Sequence, residues 1–507
     1  MTSIRRVGAF AVAVTLLTGT GNRLTAGEGK EAILEDARRL EEAVDKIVTN
    51  RMEKAHVPGA VVTIVKGDKI IFNKGYGFAN LEERRPVDPE RTLFRVASVS
   101  KVFNAMAALT LVDRGLVGAD EDVRAKLAAA GLELDKTVDG PITLRALLTH
   151  TAGIRELYIP NVTLATNRSG VLPLGAYLQK CLPLRWQRPG ETLLYSDHGI
   201  TLAGYVTEIV SGKRFQDYVL GNVMRPLGMD RTCYEVPEER WEDVAVAYSH
   251  DDSGYKPVAF RYTSIDPALG VLTTGSDMGR LIIEHLSGAR RVLKRRSAKL
   301  MHEPQYTDEP RFGIYWTCGL WQMGPKEEPN LSHFGGACGF FSQMAFIPAR
   351  DVGYFVAQSN SPELVFDVGI LESLFTERPR SRKADRREPL VPVSHDRAHL
   401  EALAGTYVAS RDLSRGRALN EQEYVRVKYA ADIHGIEVAH WQNREKPMRF
   451  VETAPLYFQS TDRKAVSFRR SRDGQRLHMF DFNFSGDGQF TRIAGKDELN
   501  GLEKLNE

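Results

Sequence analysis

Cysteine is scarce in this chain, and what there is falls into no metal or dithiol motif. Four cysteines, Cys181, Cys233, Cys318 and Cys338, are spread over 507 residues, with no Cys-x-x-Cys pair. That spacing excludes a zinc ribbon and a redox dithiol. After export the four would allow three disulfide connectivities, but being few and far apart they read as buried free thiols. Charge of one sign is missing as well: 68 basic against 65 acidic residues leave a net +3. Such a balance offers no nucleic-acid or membrane-binding surface. The twelve histidines are scattered. His395 and His399 alone have helical metal-ligand spacing; no Glu follows His395 and no cysteine lies nearby, so they read as solvated.

What is present is an ordinary globular composition, 42% hydrophobic and 26% charged. At this length it exceeds a single ordinary domain. The N-terminus has Arg5-Arg6, an apolar run from Val7 to Leu17, and small and polar residues to Ala26. This is the three-part layout of a secretory signal, with Leu24-Thr25-Ala26 as the candidate cleavage site. The run is too short to span a bilayer comfortably. The reading is therefore export to periplasm or medium, with membrane contact only through residues 1–26. An uncleaved anchor and an amphipathic targeting peptide are the alternatives, since no acidic residue precedes Glu28.

Residues 27–56 carry Ile33, Leu34, Ala37, Leu40 and Val44 on one helical stripe. Gly59–Lys66 and the run from Lys69 through Phe72 to Gly75 predict a hairpin about Gly67-Asp68. A mostly helical middle is expected from about residue 120 to 290, then strand-like runs at 312–323, 341–347 and 354–358, and a closing helix over 367–375. Strands at both ends with helices between imply an α/β (α+β) domain: an antiparallel sheet assembled from both ends, flanked by helices, with a helical subdomain inserted. Residues 376–394 interleave arginines with prolines and read as an exposed linker. A nucleic-acid patch is the other reading, but no aromatics interleave with the arginines. Short alternating runs after Leu400, such as Tyr424–Tyr429, predict a small β domain over 395–507, barrel or sandwich.

Ser98-Val99-Ser100-Lys101 is the most informative stretch. It sets a hydroxyl and an amine one helical turn apart, where the ammonium reaches the serine oxygen. The free N–H groups at a helix start favour a developing oxyanion, as an activated serine nucleophile requires. Alone, Ser-x-x-Lys arises by chance roughly once or twice in a chain this long, and then describes only an N-capping serine. Its meaning comes from downstream partners. Tyr195-Ser196-Asp197 stands on a loop ahead of an apolar helix, where a lone tyrosine would be a structural aromatic. Ser332-His333-Phe334-Gly335-Gly336 runs into the strand 341–347. Glycines there permit close approach to a strand edge, or mark a bulge or tight bend.

Together these motifs resemble the serine β-lactamase and penicillin-binding-protein superfamily, in its class C β-lactamase and DD-peptidase branch. The family's Ser-x-x-Lys, Tyr-x-Asn and Lys/His-x-Gly fall at Ser98/Lys101, Tyr195/Asp197 and His333/Gly335. Flanking segments match in order: Gly75–Leu81 with Arg85-Pro86-Val87, Ile142–Gly153 (including Leu147-Leu148-Thr149-His150-Thr151), and Gly270–Met278. The resemblance covers roughly residues 40–375 of the expected 27–375 domain. It implies the β-lactamase/transpeptidase fold, a small-molecule or peptide substrate, and no metal or organic cofactor.

Ser98 would attack the scissile carbonyl and carry the acyl group. Lys101, through a depressed pKa, would accept or relay its proton, and Tyr195 would shuttle a proton to the leaving group. Which of the two is the formal base is left open. The oxyanion hole would be the N–H groups of Ser98 and Gly336.

Two residues depart from the pattern. Asp197 stands for asparagine, and a carboxylate can only accept, favouring a substrate ammonium or hydroxyl. His333 stands for the lysine that class C β-lactamases turn towards the substrate carboxylate, and is mostly neutral at pH 7. Both argue against an efficient β-lactamase. The expected activity is an exported serine hydrolase of the D-amino-acid peptidase or carboxylesterase type. A class C-like β-lactamase and a non-catalytic penicillin-binding sensor are the alternatives. The C-terminal β domain would bind cell wall or a partner subunit, or serve as lid or spacer.

Overall fold

The computed structural model describes residues 30–359, except 135, 137, 158, 160, 311, 312, 325 and 326, together with Leu371 and Leu374. In the C-terminal part it describes 397–409, 424–430, 432, 435–440, 448–454, 457–459, 465–470, 477–480 and 489–493. The signal-like segment, the 376–394 linker and His395 lie outside the described residues, as does the 367–375 helix apart from those two leucines.

The sheet follows from valine-rich strands that can be buried on both faces. Strand β1 (Gly59–Lys66) turns at Gly67 into β2 (Lys69–Asn80), and β3 (Arg85–Pro86) follows. The chain returns to the sheet with β4 (Tyr315–Trp316), β5 (Trp321–Met323), β6 (Asn330–Ala337), β7 (Phe340–Ile347) and β8 (Val352–Ser359). The eight strands are ordered β4-β5-β6-β7-β8-β1-β2-β3. All pairings are antiparallel, and β1 joins the last strand in register from Ala60↔Gln358 to Lys66↔Val352.

Alternation splits the sheet residues between two cores. On one face, helix α1 (Ala37–Lys54) presents Leu40, Val44 and Val48 to Val62, Ile64, Ala345 and Val356. Asp36 caps that helix, its carboxylate accepting the N–H groups of Arg38 and Arg39. On the other face, Val61, Val65 and Met344 join the large core built on helix α2 (Ser100–Asp113), helix α3 (Asp197–Ser211) and helix α4 (Gly275–Leu286). Helix α2 runs through that core: from Ser100 to Leu111 every side chain is buried. Burying each large apolar side chain there contributes about 1.5–3 kcal/mol.

The middle of the chain is less helical than its composition implies. Ala247–Asp251 and Gly254–Val258 form an antiparallel hairpin, and three further short strands lie between residues 164 and 273.

In the C-terminal part eight consecutive strands close into a barrel, from β9 (Gly405–Ala409) to β16 (Gln489–Ile493), the first pairing with the last. Val427, Ile436, Val438, Phe450, Val466 and Met479 fill it. Of the two β architectures compatible with the alternating runs it is therefore the barrel, which leaves no open edge. Among the described residues no helix is long and apolar enough to cross a membrane. All four cysteines are free: Cys181 and Cys318 buried, Cys233 and Cys338 half-buried.

Candidate active site

The approach to Ser98 is strained. Phe94–Arg95 pairs with Leu272–Thr273, and the next turn places Ala97 at φ +45°. A residue with a Cβ rarely adopts that region, and such strain persists only where the surroundings enforce it. The 3-10 turn Ala97–Val99 then leads into α2, with the Ser100 hydroxyl accepting the N–H of Val271 at 3.0 Å. Ser98 is half-buried, whereas its neighbours from Thr92 to Ala97 and from Val99 onward are buried.

One turn on, Lys101 is wholly buried, and its Nζ donates to Ser98 Oγ at 2.7 Å and to the Ala268 carbonyl at 3.2 Å. The same nitrogen pairs with Asp197 Oδ1 at 2.7 Å. The expected depressed pKa is not found. Burial pulls the lysine down, but the Asp197 carboxylate and the Tyr195 oxygen outweigh it, and the net direction is upward. Lys101 is thus an ammonium at neutral pH. The cation that Asp197 meets is this chain's own lysine rather than a substrate amine.

Tyr195 is fixed by His150. The N–H of Leu194 donates to the His150 carbonyl at 2.8 Å, and that of Ser196 to His150 Nδ1 at 3.1 Å. Accepting at Nδ1 puts the imidazole proton on Nε2. The two rings stack, centroids 4.2 Å apart and planes 25° from parallel, and Trp316 closes the edge of both. Burial pushes His150 well below its usual range, helped by the Lys101 charge, so it is neutral. The Tyr195 phenol is pushed up by burial against the pull of Lys101, whose Nζ lies 5.0 Å from the centre of its ring.

Asp197 opens α3, where its charge suits the positive end of the helix. Ser196 caps the helix, its Oγ accepting the Gly199 N–H at 2.9 Å. Behind them Glu156, buried, accepts the N–H groups of Asp197 at 2.5 Å and His198 at 3.4 Å. His198 lies against Glu156 at 3.7 Å and meets the Tyr177 hydroxyl at 3.1 Å. Burial lowers its pKa, but the neighbouring Cys181 and the Glu156 carboxylate outweigh that and lift it to about 9.

The third motif lies on β6. Pairing with β5 reaches only Ser332, opposite Trp321, so beyond it the outer edge of β6 is free among the described residues. Cys338 (φ +53°) and Gly339 (φ +77°) make a two-residue hairpin turn closed by Ala337↔Phe340. Hydrogen-bonded pairs alternate along such a ladder, so the Gly336 N–H points away from β7 to the free edge. Gly335 is required by packing: a Cβ there would lie 2.1 Å from the Val96 carbonyl oxygen and 3.0 Å from the Ser98 nitrogen. Two residues before it on the same strand face, His333 donates from Nδ1 to the Phe334 carbonyl at 2.7 Å. Its buried Nε2 keeps a lone pair with no hydrogen-bond partner among the described residues. Burial, with the Lys101 charge, lowers His333 to about 3.

The structure therefore gathers Ser98, Lys101 and Asp197 around one ammonium with the Tyr195 ring beside it, and lays the His333–Gly336 strand against them. His150 and Glu156 were not singled out from the sequence. His150 lies within a segment noted only for its likeness, and nothing local marks Glu156. Such a cluster can generate a serine alkoxide and offer two N–H groups to the oxygen of the attacked carbonyl.

Residues 44–371 match the model of the Beta-lactamase family. Protein flp of Staphylococcus aureus (strain N315) is 27% identical over 214 residues, 41% of this chain and 41% of that protein. Beta-lactamase-like protein 4 of Dictyostelium discoideum is 29% identical over 260 residues, 48% of this chain and 45% of that protein. The chain thus spans less than half the length of either relative. Among solved structures, the octameric penicillin-binding protein homologue from Pyrococcus abyssi superposes with a TM-score of 0.58. That likeness covers 89% of this chain and all of the other, at 20% identity, and establishes the fold.

Proposed function

This chain belongs to the β-lactamase family, the serine β-lactamase and penicillin-binding-protein superfamily of hydrolases, and we propose that it is an exported carboxylesterase working through a Ser98 acyl-enzyme. The observation that carries the reading is the 2.7 Å contact between Lys101 Nζ and Ser98 Oγ, with the lysine wholly buried. Ser98 attacks the ester carbonyl, whose oxygen takes negative charge between the N–H groups of Ser98 and Gly336. The alkoxy group leaves with a proton delivered past Tyr195. Water enters the same place and returns the acid and free Ser98.

The preference for an ester rests on His333. It is neutral, offers a lone pair, and gives a substrate carboxylate nothing to pair with, whereas a hydroxyl or N–H donor suits it. That counts against β-lactams and peptides with a free C-terminal carboxylate. A peptidase of D-amino-acid peptides is the second reading, since the unpartnered His333 Nε2 accepts an amide N–H as readily as a hydroxyl. Export is supported by the layout of residues 1–26.

The test is mass spectrometry of residues 27–507 after incubation with a fluorophosphonate and with a penicillin, beside turnover of short-chain nitrophenyl esters and D-amino-acid anilides. Ser98 labelled by both reagents, slow loss of the penicilloyl group and faster ester than anilide turnover are expected. Rapid penicillin hydrolysis would instead make it a β-lactamase. Labelling without turnover would make it a sensor, and no label on Ser98 would end the hydrolase reading.

A further inference from the structure

We infer that Asp197 is the terminal acceptor of the Ser98 proton, with Lys101 acting as a charged relay between the two oxygens. The inference deepens the serine-hydrolase reading and rests on it. An ammonium has no lone pair, so a lysine held charged cannot take a proton from Ser98 unless it releases one first. The geometry supplies the recipient. Lys101 Nζ stands 2.7 Å from Ser98 Oγ on one side and 2.7 Å from Asp197 Oδ1 on the other. Its remaining acceptor, the Ala268 carbonyl, cannot be protonated under ordinary conditions.

As Ser98 Oγ bonds to the substrate carbonyl carbon, one N–H proton of Lys101 moves to Asp197 Oδ1 and the Ser98 proton moves to Nζ. The lysine ends as it began, an ammonium; Asp197 is neutral, and the negative charge has moved to the carbonyl oxygen. When the intermediate collapses, the bond to the leaving group breaks. Lys101 passes a proton to the leaving group by way of Tyr195, and Asp197 returns its own to Lys101. Nothing beyond substrate is consumed.

Every other titratable group facing this pair is less suited. Tyr195 is a phenol pushed up by burial, so its oxygen is protonated and serves as a conduit. His150 on the neighbouring loop spends its Nδ1 on the Ser196 N–H. His333 on β6 is a feeble base at about 3. Glu156 and His198 lie behind Asp197, where Glu156 holds the Asp197 N–H and so aims its carboxylate at the lysine. With asparagine at 197 the acceptor vanishes and Lys101 must itself be neutral before it can act.

The experiment measures the rate at which a fluorophosphonate labels Ser98 between pH 5 and 10, which needs no knowledge of the natural substrate. In the unaltered protein the acid limb should lie at or below about pH 6, set by the coupled carboxylate–ammonium pair. In Asp197→Asn the limb should move up by more than one pH unit. At pH 6 this cuts labelling by at least about tenfold, with recovery in alkali. Asp197→Glu keeps a carboxylate, and its limb should stay on the acid side even if the maximum falls. An Asn variant that keeps the original limb, whatever its maximum rate, removes Asp197 from the proton path. Should the Asn variant fail to fold by circular dichroism, the Glu variant decides, and an alkaline limb there overturns the relay. Absence of labelling in the unaltered protein is a different result and defeats the hydrolase reading itself.

Discussion

His150 stacks on Tyr195 at 4.2 Å and accepts the N–H of the next residue, so one imidazole fixes both the plane of the phenol and the backbone that carries it. His150 itself sits at φ +56°, a conformation disfavoured for any residue with a Cβ. The site therefore holds a histidine that works by geometry rather than by titration.

Replacing His150 with alanine should remove the stack and leave the Ser196 N–H without its acceptor. A buried residue of this size and an orphaned donor together cost about 2–4 kcal/mol. Urea denaturation should register that loss. His150→Phe, which keeps a ring but no acceptor, should recover part of the stability while ester turnover stays at least about tenfold down. Full activity in the phenylalanine variant would show that the hydrogen bond to Ser196 positions nothing.

Gly335→Ala places a methyl group 2.1 Å from the Val96 carbonyl oxygen, so either β6 or the Ala97–Ser98 turn must move. Overpacking of this kind costs about 1–3 kcal/mol. Because the same displacement separates the two oxyanion N–H groups, turnover should fall by more than the stability loss explains. Gly339→Ala, at the turn rather than beside Ser98, is the control. Equal losses of activity in both variants would argue against a special role for Gly335.

Ser98→Ala should leave the fold intact, since the serine is half-buried and contributes no packing that alanine lacks. Fluorophosphonate labelling and turnover should both disappear, a drop of at least about a thousandfold. Residual hydrolysis above a few per cent would place the nucleophile elsewhere.

Acid should draw stability from the buried histidines. His333 is held to about 3 by burial and the Lys101 charge, and His302 to about 4 by burial. Above the unfolded value near 6.5 both are neutral in either state, so the full stability is present. Below it the unfolded chain takes up protons that the folded one refuses, and stability falls as pH drops toward those folded values. For His333 the loss is on the order of 2 kcal/mol at pH 5. Urea midpoints at pH 7.5 and 5 should differ accordingly, and His302→Gln should shrink the difference. An unchanged midpoint difference in that variant would remove His302 from the effect.

Much of this is legible in the sequence. The spacing of Ser98 and Lys101 dictates their contact once the helix forms, and the valine-rich strands at both ends of the domain could be buried only together. The fate of Lys101 was not legible, because its charge state depends on Asp197, which the fold alone brings within 2.7 Å. The turns at His150 and Cys338 were not legible for a related reason: both take positive φ, which residue type does not announce. The hairpin at 247–258 was missed although Asp251-Asp252-Ser253-Gly254 is turn chemistry, since its arms are polar and weakly alternating. Glu156 left no local trace; its meaning lies wholly in the helix start it holds.

The pairing of β1 with β8, joining residue 60 to residue 358, has a consequence for how the molecule is made. The sheet has its first and last strands side by side near its centre, so contact order is high and folding correspondingly slow. A nascent chain that has produced Ser98, Lys101 and Tyr195 still lacks β6, the Gly336 N–H and the neighbour that closes β1. Until residue 358 has emerged from the ribosome, β1 is an open apolar edge of the kind that chaperones shield. Catalytic competence should therefore arrive late in synthesis and all at once.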